Sequence, residues 1–371
     1  MTKLKEFFKK ETVFCIAALA ALISAFFTPP SMNYITYIDF RVLFMLFSLM
    51  SVVEGLSRLG VFTRCAEVMV SKANNLRLLV FVLWGLCFFS AMLITNDVAL
   101  ITFVPLAITV LTMTNSREYI IRTVVLQTAA ANLGSMLTPL GNPQNLYLYN
   151  YFNVPAAVFF KITLPCTAIS FALLFVSTFV LIKNKKTDIR ITKKTKTGSK
   201  KLLALYCVLA VLCLLSVGKV TDAWMTALIV LVSLAIADNE VLYGIDRFLL
   251  LTFVMFFIFV GNIAAMDGVK TALSQIIEGK ELVFSVLLSQ VISNVPCAAM
   301  LSGFTDNYRA LILGTNIGGL GTLVASLASL ISYRIYCADV KNAERGKYIL
   351  HFTILNVIFL LILLFIYGIV I

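Results

Sequence analysis

Long apolar stretches separated by short polar segments make up most of the chain. Nine of these stretches are long enough for an α-helix to cross about 30 Å of hydrocarbon, which takes about 20 residues. Membrane-barrel strands would instead alternate over about ten residues, and no such alternation appears. The pattern predicts an all-α polytopic membrane protein. Its spans are 12–29, 37–56, 119–150, 154–182, 202–218, 221–237, 247–265, 309–336 and 347–371.

Two further apolar segments carry a polar tip at their centre. Residues 77–113 contain LITNDVAL, and residues 281–304 contain VISNVPCAAM. Backbone that leaves the helical conformation at membrane depth is tolerated only where it faces protein or a water-filled cavity. We therefore interpret both segments as re-entrant hairpins, which enter and leave the membrane on the same side.

The distribution of basic residues agrees with this topology. With a cytoplasmic N-terminus, 24 of the 30 Lys and Arg residues lie in the cytoplasm and 6 lie outside, as the positive-inside rule requires. If either hairpin crossed the membrane, every later loop would change sides and this bias would be lost. The sequence thus predicts a multi-pass protein of the cytoplasmic (inner) membrane with the basic Lys183–Lys201 linker in the cytoplasm.

Composition narrows the functional classes. The 371 residues are 60% hydrophobic and 13% charged, whereas soluble domains are about 45–50% apolar and about 25% charged. The net charge of +12 comes from basic residues between apolar runs, which orient the protein and do not indicate a nucleic-acid partner. The eight cysteines have no C-x-x-C spacing and His351 is the only histidine. We therefore expect no enzyme and no cofactor apart from Na⁺ or H⁺ as coupling ion.

The two halves repeat the same order of motifs. NLGSMLTPLGNPQN begins at Asn132 and NIGGLGTLVASLAS begins 184 residues later. At this offset three pairs coincide, Asn132 with Asn316, Gly134 with Gly318 and Thr138 with Thr322. The hairpin tips share Asn96 and Asn294. Five spans separate the starts of the two units, so the units point in opposite directions, which is the inverted repeat of secondary transporters.

This repeat divides the chain into two predicted halves. Residues 1–182 hold the first hairpin, 77–113, and a broken helix over 119–150. Residues 183–201 form the linker. Residues 202–371 hold the second hairpin, 281–304, and a broken helix over 309–336.

The polar interruptions supply the candidate site. Half-helices that end there would present N–H groups to anions and carbonyl groups to cations. Na⁺ would be held by Asn96, Asp97 and Asn142. The candidate substrate- or ion-binding residues are Thr95, Asn96, Asp97, Asn132, Gly134, Thr138, Gly141, Asn142, Gln144, Asn145, Ser293, Asn294, Asn316, Gly318, Gly319, Thr322 and Ser326.

Asp97 is the sharpest of these candidates. A carboxylate inside a membrane segment costs about 2.5–3.5 kcal/mol on insertion scales and is functional by default. It could bind a cation, carry a proton or cap a half-helix. Glu54 and Arg58 are four residues apart, a spacing that favours an interfacial ion pair. No Lys or Arg lies deep in a predicted span, so an anionic substrate would need helix N-termini, amides or a co-bound cation.

These motifs resemble the ion transporter superfamily of arsenite permeases, D-type sodium–proton antiporters, citrate carriers and dicarboxylate–sodium symporters. The resemblance rests on TNDVALITFVPL, NLGSMLTPLGNPQN, SQVISNVPCAAML and NIGGLGTLVASLAS, and is strongest for small bacterial permeases with a citrate-transporter domain. It implies two re-entrant hairpins, two broken helices, elevator-type alternating access and often a homodimer. Relatives that carry dicarboxylates bind sodium and carboxylate with Ser-Asn-Thr at each tip, which corresponds here to Thr95-Asn96-Asp97 and Ser293-Asn294-Val295. Ser329 stands where relatives often have asparagine.

We expect a secondary active transporter of a small inorganic or organic anion, coupled to H⁺ or Na⁺. The alternative is a Na⁺/H⁺ antiporter that uses Asp97 as the exchange carboxylate. A channel would need a continuous polar pore. An intramembrane enzyme would need a nucleophile–base pair or a metal set, and the sequence shows neither.

Overall fold

Apolar side chains without interspersed charges favour long helices, and helices make up about four-fifths of the described chain. The structure is a computed structural model that describes residues 11–186 and 198–370. Residues 1–10 and 187–197, which include the predicted cytoplasmic N-terminus and most of the predicted linker, lie outside the described residues. The helices of the first half are α1 (Thr12–Phe27), α2 (Asn33–Tyr37), α3 (Phe40–Arg58), α4 (Val61–Val70), α5 (Leu76–Ser90), α6 (Asn96–Met113), α7 (Ile120–Ser135), α8 (Pro143–Tyr151) and α9 (Ala156–Leu181).

The second half continues the same pattern after the linker. Short 3₁₀ turns precede α7 at Arg117–Tyr119 and separate two later half-helices at Leu323–Ala325. The helices are α10 (Lys200–Val217), α11 (Ala223–Ala237), α12 (Val241–Gly244), α13 (Arg247–Ala264), α14 (Asp267–Ile277), α15 (Glu281–Ile292), α16 (Asn294–Leu301), α17 (Tyr308–Ile317), α18 (Leu327–Asp339) and α19 (Arg345–Val370).

Six of the described helices are long and apolar enough to cross a membrane: α3, α6, α9, α10, α13 and α19. Four shorter apolar helices accompany them: α1, α5, α11 and α15. Large apolar side chains such as Phe26, Val180 and Ile236 are more than three-quarters exposed, as expected for a surface that faces lipid. The predicted all-α polytopic membrane fold is confirmed.

Both predicted broken helices are interrupted where the sequence places helix-breaking residues. Residues 136–142 separate α7 from α8, and residues 318–326 separate α17 from α18. The first gap contains Pro139 and Gly141 and ends before Pro143, which starts α8. The second gap contains Gly321, whose φ of 99° lies in the left-handed region that favours glycine.

Both predicted hairpins are helix–turn–helix units. The first joins α5 to α6 and the second joins α15 to α16. Asn96 and Asn294 are the first residues of α6 and α16. The returning arms differ in length, with 18 residues in α6 and 8 in α16, so the two repeats are related but unequal.

The hairpins interlock the two repeats. The first arm of each hairpin packs on the first half-helix of its own repeat, α5 on α7 and α15 on α17. The second arm packs on the second half-helix of the other repeat, α6 on α18 and α16 on α8. This reciprocal pattern is what an inverted repeat produces when its units close on one another, and it brings both hairpin tips to both helix breaks.

The remaining helices surround this assembly. Helix α1 packs on α13, and α10 and α11 pack on α3. The helices α3 and α13 begin alike, because Asp39 accepts a hydrogen bond from Val42 N and Asp246 accepts one from Leu249 N. The predicted ion pair between Glu54 and Arg58 is wrong.

The guanidinium of Arg58 forms its ion pair with another segment. It donates to Glu240 Oε2 at 2.7 Å, across to the segment that precedes α12. Side-chain reach to another element therefore outweighs the i,i+4 spacing. Both partners are exposed, so the pair contributes at most about 1 kcal/mol.

Candidate functional site

Five predicted asparagines meet where the hairpin tips approach the helix breaks. Asn96 Nδ2 donates to Asn132 Oδ1 at 3.0 Å. Asn142 Nδ2 donates to Asn316 Oδ1 at 3.0 Å, and Asn316 Nδ2 donates to Asn145 Oδ1 at 2.6 Å. All five side chains are at most 5% exposed. Buried amides need partners, and here they supply them to one another across the two repeats.

The asparagine bonds follow the inverted repeat. Asn132 Nδ2 donates to Ser329 Oγ at 3.2 Å, and Ser326 Oγ donates to Asn132 Oδ1 at 3.1 Å. Ser326 and Ser329 lie 184 residues after Asn142 and Asn145. Each repeat therefore places an asparagine at the end of its first half-helix, and this asparagine bonds to the start of the other repeat's second half-helix.

The predicted threonine pair ties each break to its hairpin. Thr138 Oγ1 donates to the carbonyl oxygen of Met92 at 2.5 Å. Thr322 Oγ1 donates to the carbonyl oxygen of Gln290 at 3.3 Å. Met92 and Gln290 each lie four residues before the hairpin asparagine. The two hydroxyls thus occupy equivalent positions and brace equivalent backbone.

The first break is braced from within its own repeat. Asn145 Nδ2 lies within 3.4 Å of the carbonyl oxygens of Ser135, Met136 and Thr138. These carbonyls follow the end of α7 and have lost their helical partners. One amide at the start of α8 therefore satisfies the unwound backbone. Asn142, which caps α8, donates to the hydroxyl of Ser135 at 3.0 Å.

The second break is braced from the hairpin by Gln290, a residue absent from the sequence-based candidates. Gln290 Nε2 donates to the carbonyl oxygens of Gly318 and Leu320 at 2.9 and 3.0 Å. Its Oε1 accepts from Thr322 N at 2.9 Å. Ser329, the counterpart of Asn145, is too short for this task. A polar residue inside the apolar arm of the second hairpin was the signal that could have identified Gln290.

The predicted glycines allow close helix approach. A Cβ on Gly134 would lie 2.1 Å from the carbonyl oxygen of Phe88 on α5, and one on Gly318 would lie 2.7 Å from Ser289 Oγ on α15. Gly141 and Gly319 lie equally close to other groups of the site. A Cβ on Gly141 would lie 2.1 Å from the carbonyl oxygen of Ser135. A Cβ on Gly319 would lie 2.8 Å from Asn294 Nδ2.

Asp97 lies on the first turn of α6, beside this network. The described residues offer its carboxylate neither a hydrogen bond nor an ion pair. Its backbone N–H donates to Asn96 Oδ1 at 3.1 Å, so the neighbouring asparagine satisfies this N–H. The cap of α6 is Thr95, without a side-chain capping bond. The carboxylate of Asp97 is therefore not used as a helix cap.

Two cavities adjoin Asp97, with volumes of about 190 and 160 Å³. The larger reaches Val295 and Pro296 at the second hairpin tip and Leu327 at the start of α18. Its lining therefore includes the second hairpin tip and the second break, in addition to the first turn of α6 and residues of α1 and α13.

The smaller cavity has the complementary lining. It reaches Thr95 at the first hairpin tip, and Asn142 and Pro143 at the start of α8. The lining of both cavities includes Asp97, Asp246 and Leu249. Asp97 and Asp246 thus line both spaces, and each space is bordered by one hairpin tip and one broken helix.

The charges around the cavities favour cations. In the described part of the chain, the charged residues of the smaller cavity are Glu54, Asp97 and Asp246, all acidic. The larger cavity has Glu11, Asp97, Asp246 and the base Arg334. A cleft lined by one sign of charge concentrates ions of the opposite sign.

Two of the three predicted Na⁺ ligands border one cavity. Asp97 and Asn142 line the same cavity, whereas the amide of Asn96 is directed to Asn132. Within residues 11–186 and 198–370, no group of three or more His, Cys, Asp or Glu side chains could hold a metal ion.

Two further candidates are buried amides whose NH₂ groups have no hydrogen-bond partner in the described residues, although Asn294 Oδ1 accepts from Ser293 Oγ at 3.5 Å. Gln144 is 2% exposed on the first turn of α8, and Asn294 is 4% exposed with its Nδ2 unpaired. The hydroxyl of Ser293 lies 3.4 Å from the carbonyl oxygen of Ala325 in the second break. Unpaired buried amides at a helix break are the groups that a polar ligand would satisfy.

Comparison with known proteins identifies the family. A family model described as Citrate transporter (CitMHS) matches residues 4–307. The chain belongs to the citrate transporter family. This confirms the resemblance to the ion transporter superfamily that the hairpin and break motifs indicated.

Relatives of this citrate transporter family member are named as transporters or membrane proteins. The chain is 30% identical over 328 residues to an uncharacterized transporter of Methanocaldococcus jannaschii, and the alignment covers 88% of each chain. It is 29% identical over 327 residues to the inner membrane protein YbiR of Escherichia coli, with 87% of each chain covered. The protein is therefore a membrane transporter.

A solved structure has the same fold. The crystal structure of the Alcanivorax borkumensis YdaH transporter superposes on this citrate transporter family member with a TM-score of 0.53 and 13% sequence identity. The superposition covers 91% of this chain and 88% of the YdaH chain. At this level of identity the likeness shows the fold alone.

Proposed function

We propose that this protein is a secondary active transporter in which a cation, H⁺ or Na⁺, binds at Asp97 and drives the movement of a small inorganic or organic anion. The observation that carries the proposal is the position of Asp97. Its carboxylate has no partner among the described residues and faces both cavities. A carboxylate at membrane depth needs compensation, and a bound cation provides it.

The acidic lining explains why an anion needs the cation. Glu54, Asp97 and Asp246 repel a free anion from the smaller cavity. Neutralising Asp97 removes the nearest negative charge. The anion is then held by unpaired amides, those of Gln144 and Asn294, and by N–H groups at the starts of the half-helices, where the helix dipole favours negative charge.

Elevator-type movement is consistent with the way the helices pack. Two hairpins and two broken helices are joined through the asparagine network and the threonine and Gln290 bonds, so they form the unit that moves. The helices α1, α3, α10, α11 and α13 pack beside this unit and supply the frame, which is extended by a second copy in the homodimer. Moving the unit past the frame exposes the site to either side in turn.

The proposed location is the cytoplasmic membrane, with the N-terminus and the Lys183–Lys201 linker in the cytoplasm. The bias of basic residues supports this orientation. The name of the relative YbiR, an inner membrane protein of Escherichia coli, supports the same membrane.

A Na⁺/H⁺ antiporter is the second candidate, because the charged lining of the smaller cavity is entirely acidic in the described residues. In this case Asp97 exchanges one cation for the other and no anion takes part. The difference between the two candidates is therefore whether an anion must be present for the coupled flux.

Proteoliposome flux tests both candidates. Purified protein is given imposed H⁺ or Na⁺ gradients with citrate, succinate, sulfate or no added anion, and uptake and internal pH are followed. We expect gradient-driven anion uptake that falls at least about tenfold in Asp97→Asn. The control, Asp306→Asn, removes an exposed carboxylate elsewhere and should transport normally.

Two outcomes would contradict the proposal. Sodium-driven proton movement with no added anion, lost in Asp97→Asn, would establish the antiporter. Full anion transport by Asp97→Asn would exclude Asp97 as the cation site.

A further inference from the structure

A groove of about 250 Å³ lies between α7, α9 and α19, formed by residues that do not line the two cavities at Asp97. One end carries Arg122 and His351. Apart from Ser177 the remaining lining is apolar, with Val176 from α9 and Ile354 and Ile358 from α19. The groove therefore combines a cationic end with an apolar trough.

The groove runs along the helices and is open to the side. His351 and Ile358 are seven residues apart on α19, which corresponds to about 10 Å of helix. Val180 and Ile354 border it and are 77% and 52% exposed. These side chains face the lipid layer in a membrane protein. The trough is therefore accessible to acyl chains.

Most N–H groups of the Arg122 guanidinium have no hydrogen-bond partner among the described residues. Its Nη1 donates to the carbonyl oxygen of Leu181 at 3.1 Å, and its guanidinium lies 5.7 Å from the ring centre of Tyr119. A guanidinium has five N–H donors, and the described residues accept only this one hydrogen bond from it. Arg122 lines the groove, and a guanidinium can donate to a phosphate in pairs of hydrogen bonds.

His351 adds a second donor at the same end. Its Nδ1 lies 2.8 Å from the carbonyl oxygen of Lys347. A carbonyl oxygen only accepts, so Nδ1 carries a proton and donates. The other ring nitrogen is left to face the groove mouth or the surrounding medium.

Arg77, which also lies near the end of α9, uses its hydrogen-bond donors differently. Arg77 reaches the same last turn of α9, but its Nε and Nη2 both lie 3.2 Å from the carbonyl oxygen of Ile182, and its guanidinium lies 4.7 Å from the Phe179 ring centre. The space beside it is also bordered by polar side chains, Asn75 and Asn184. Arg122 is the arginine with both an apolar trough and unused donors.

We propose that the groove binds one anionic phospholipid, with its phosphate on Arg122 and His351 and an acyl chain in the trough. Basic pockets between transmembrane helices bind anionic headgroups, and the lining here is complementary in both charge and polarity. The lipid would connect α9 and α19 to α7, which carries Asn132 of the central network.

Lipid binding to the purified full-length chain tests the proposal. Delipidated protein in detergent is titrated with phosphatidylglycerol or phosphatidylcholine of identical acyl chains, and with glycerol phosphate, which has the headgroup chemistry alone. Bound lipid is counted by native mass spectrometry. We expect about tenfold preference for phosphatidylglycerol over phosphatidylcholine, because both lipids carry the phosphate but Arg122 repels the choline cation, and no binding of glycerol phosphate at the same concentrations.

Variants assign the binding to this groove. Arg122→Gln should remove the preference, Arg122→Lys should retain part of it, and Arg117→Gln, an exposed arginine outside the groove, should leave it unchanged. Arg122 also donates to a carbonyl at the end of α9, so its substitution could disturb the fold. Val180→Trp therefore provides a second test of lipid binding in this groove. It fills the trough with the charge intact and should reduce binding, whereas the equally lipid-exposed Val208→Trp on α10 should not.

Three results would overturn the proposal. Equal binding of the two lipids by the parent protein would remove the role of charge. Unchanged selectivity in both Arg122→Gln and Val180→Trp would place the lipid elsewhere. Tight binding of glycerol phosphate alone would identify a site for a free phosphate compound.

Discussion

Asn316 bonds to two asparagines of the other repeat, Asn142 and Asn145. Its Oδ1 accepts from Asn142, and its Nδ2 lies within hydrogen-bonding distance of Asn145 Oδ1 and of the carbonyl oxygen of Ile312. The side chain is 2% exposed. Neighbouring water cannot readily replace these bonds. At the scale of one residue, the closure of the two repeats depends on this amide.

Asn316→Ala should therefore destabilise the protein. It leaves two buried amides without their partner, at a cost of about 1–3 kcal/mol for each unsatisfied group. The midpoint of thermal unfolding in detergent measures the loss. Asn239→Ala removes an exposed asparagine and is the matched control. Equal midpoints for the two variants would contradict a bracing role for Asn316.

Gln290 supports the second break in place of the missing asparagine at position 329. Gln290→Met keeps the length of the side chain and copies Met92, its counterpart in the first repeat, but frees the carbonyls of Gly318 and Leu320. We expect a loss of about 1–3 kcal/mol and lower transport, because the unwound segment is no longer held. Gln275→Met, at an exposed position of α14, controls for the substitution itself.

The result for Gln290 can be read from stability and transport together. A variant with parental unfolding midpoint and parental flux would show that the break is held without this side chain. A variant that unfolds early but transports normally would restrict Gln290 to stability.

At the scale of the elements, α5 and α7 are in contact through a glycine. Gly134→Ala places a methyl group 2.1 Å from the carbonyl oxygen of Phe88, so one of the helices must move. We expect poor yield of folded protein or a clearly lower unfolding midpoint. Gly85→Ala, on α5 with no atom within 4 Å of the added Cβ, should be tolerated or stabilising by up to about 1 kcal/mol.

This pair separates packing from helix propensity. Both substitutions add the same methyl group to the same pair of helices. If Gly134→Ala were as stable as Gly85→Ala, then the contact between α5 and α7 would not depend on the absence of a side chain.

At the scale of the whole molecule, the hairpins decide which side of the membrane every later loop occupies. If the second hairpin is re-entrant, its two ends lie on the same side. Lys280→Cys and Asp306→Cys should then both react with a membrane-impermeant maleimide added to intact cells. Asn115→Cys, after the first hairpin, should react only after permeabilisation.

The native cysteine at position 65 is exposed and is predicted to be cytoplasmic, so it serves as the internal control for permeabilisation. Labelling of only one of positions 280 and 306 in intact cells would mean that the second hairpin crosses the membrane. The inverted topology would then need revision.

The sequence identified most of the residues that the structure brings together at the hairpin tips and helix breaks. The repeated order of a hairpin tip, an Asn-x-Gly motif and a break identified Asn96, Asn132 and Asn316, and the structure brings these together. Gln290 was missed because its role depends on a partner 28 or more residues away. The ion pair assigned to Glu54 and Arg58 was wrong for the same reason, since Arg58 bonds to Glu240.

The sequence by itself determined the helical membrane fold and the positions of the tips and breaks. These features depend on local chemistry, namely apolar runs of spanning length and proline, glycine or polar residues that interrupt them. The tertiary structure decided which amides pair, which groups remain unpaired and that Asp97 faces two cavities. Such contacts join segments far apart in the chain, and only the packing of one inverted repeat against the other determines them.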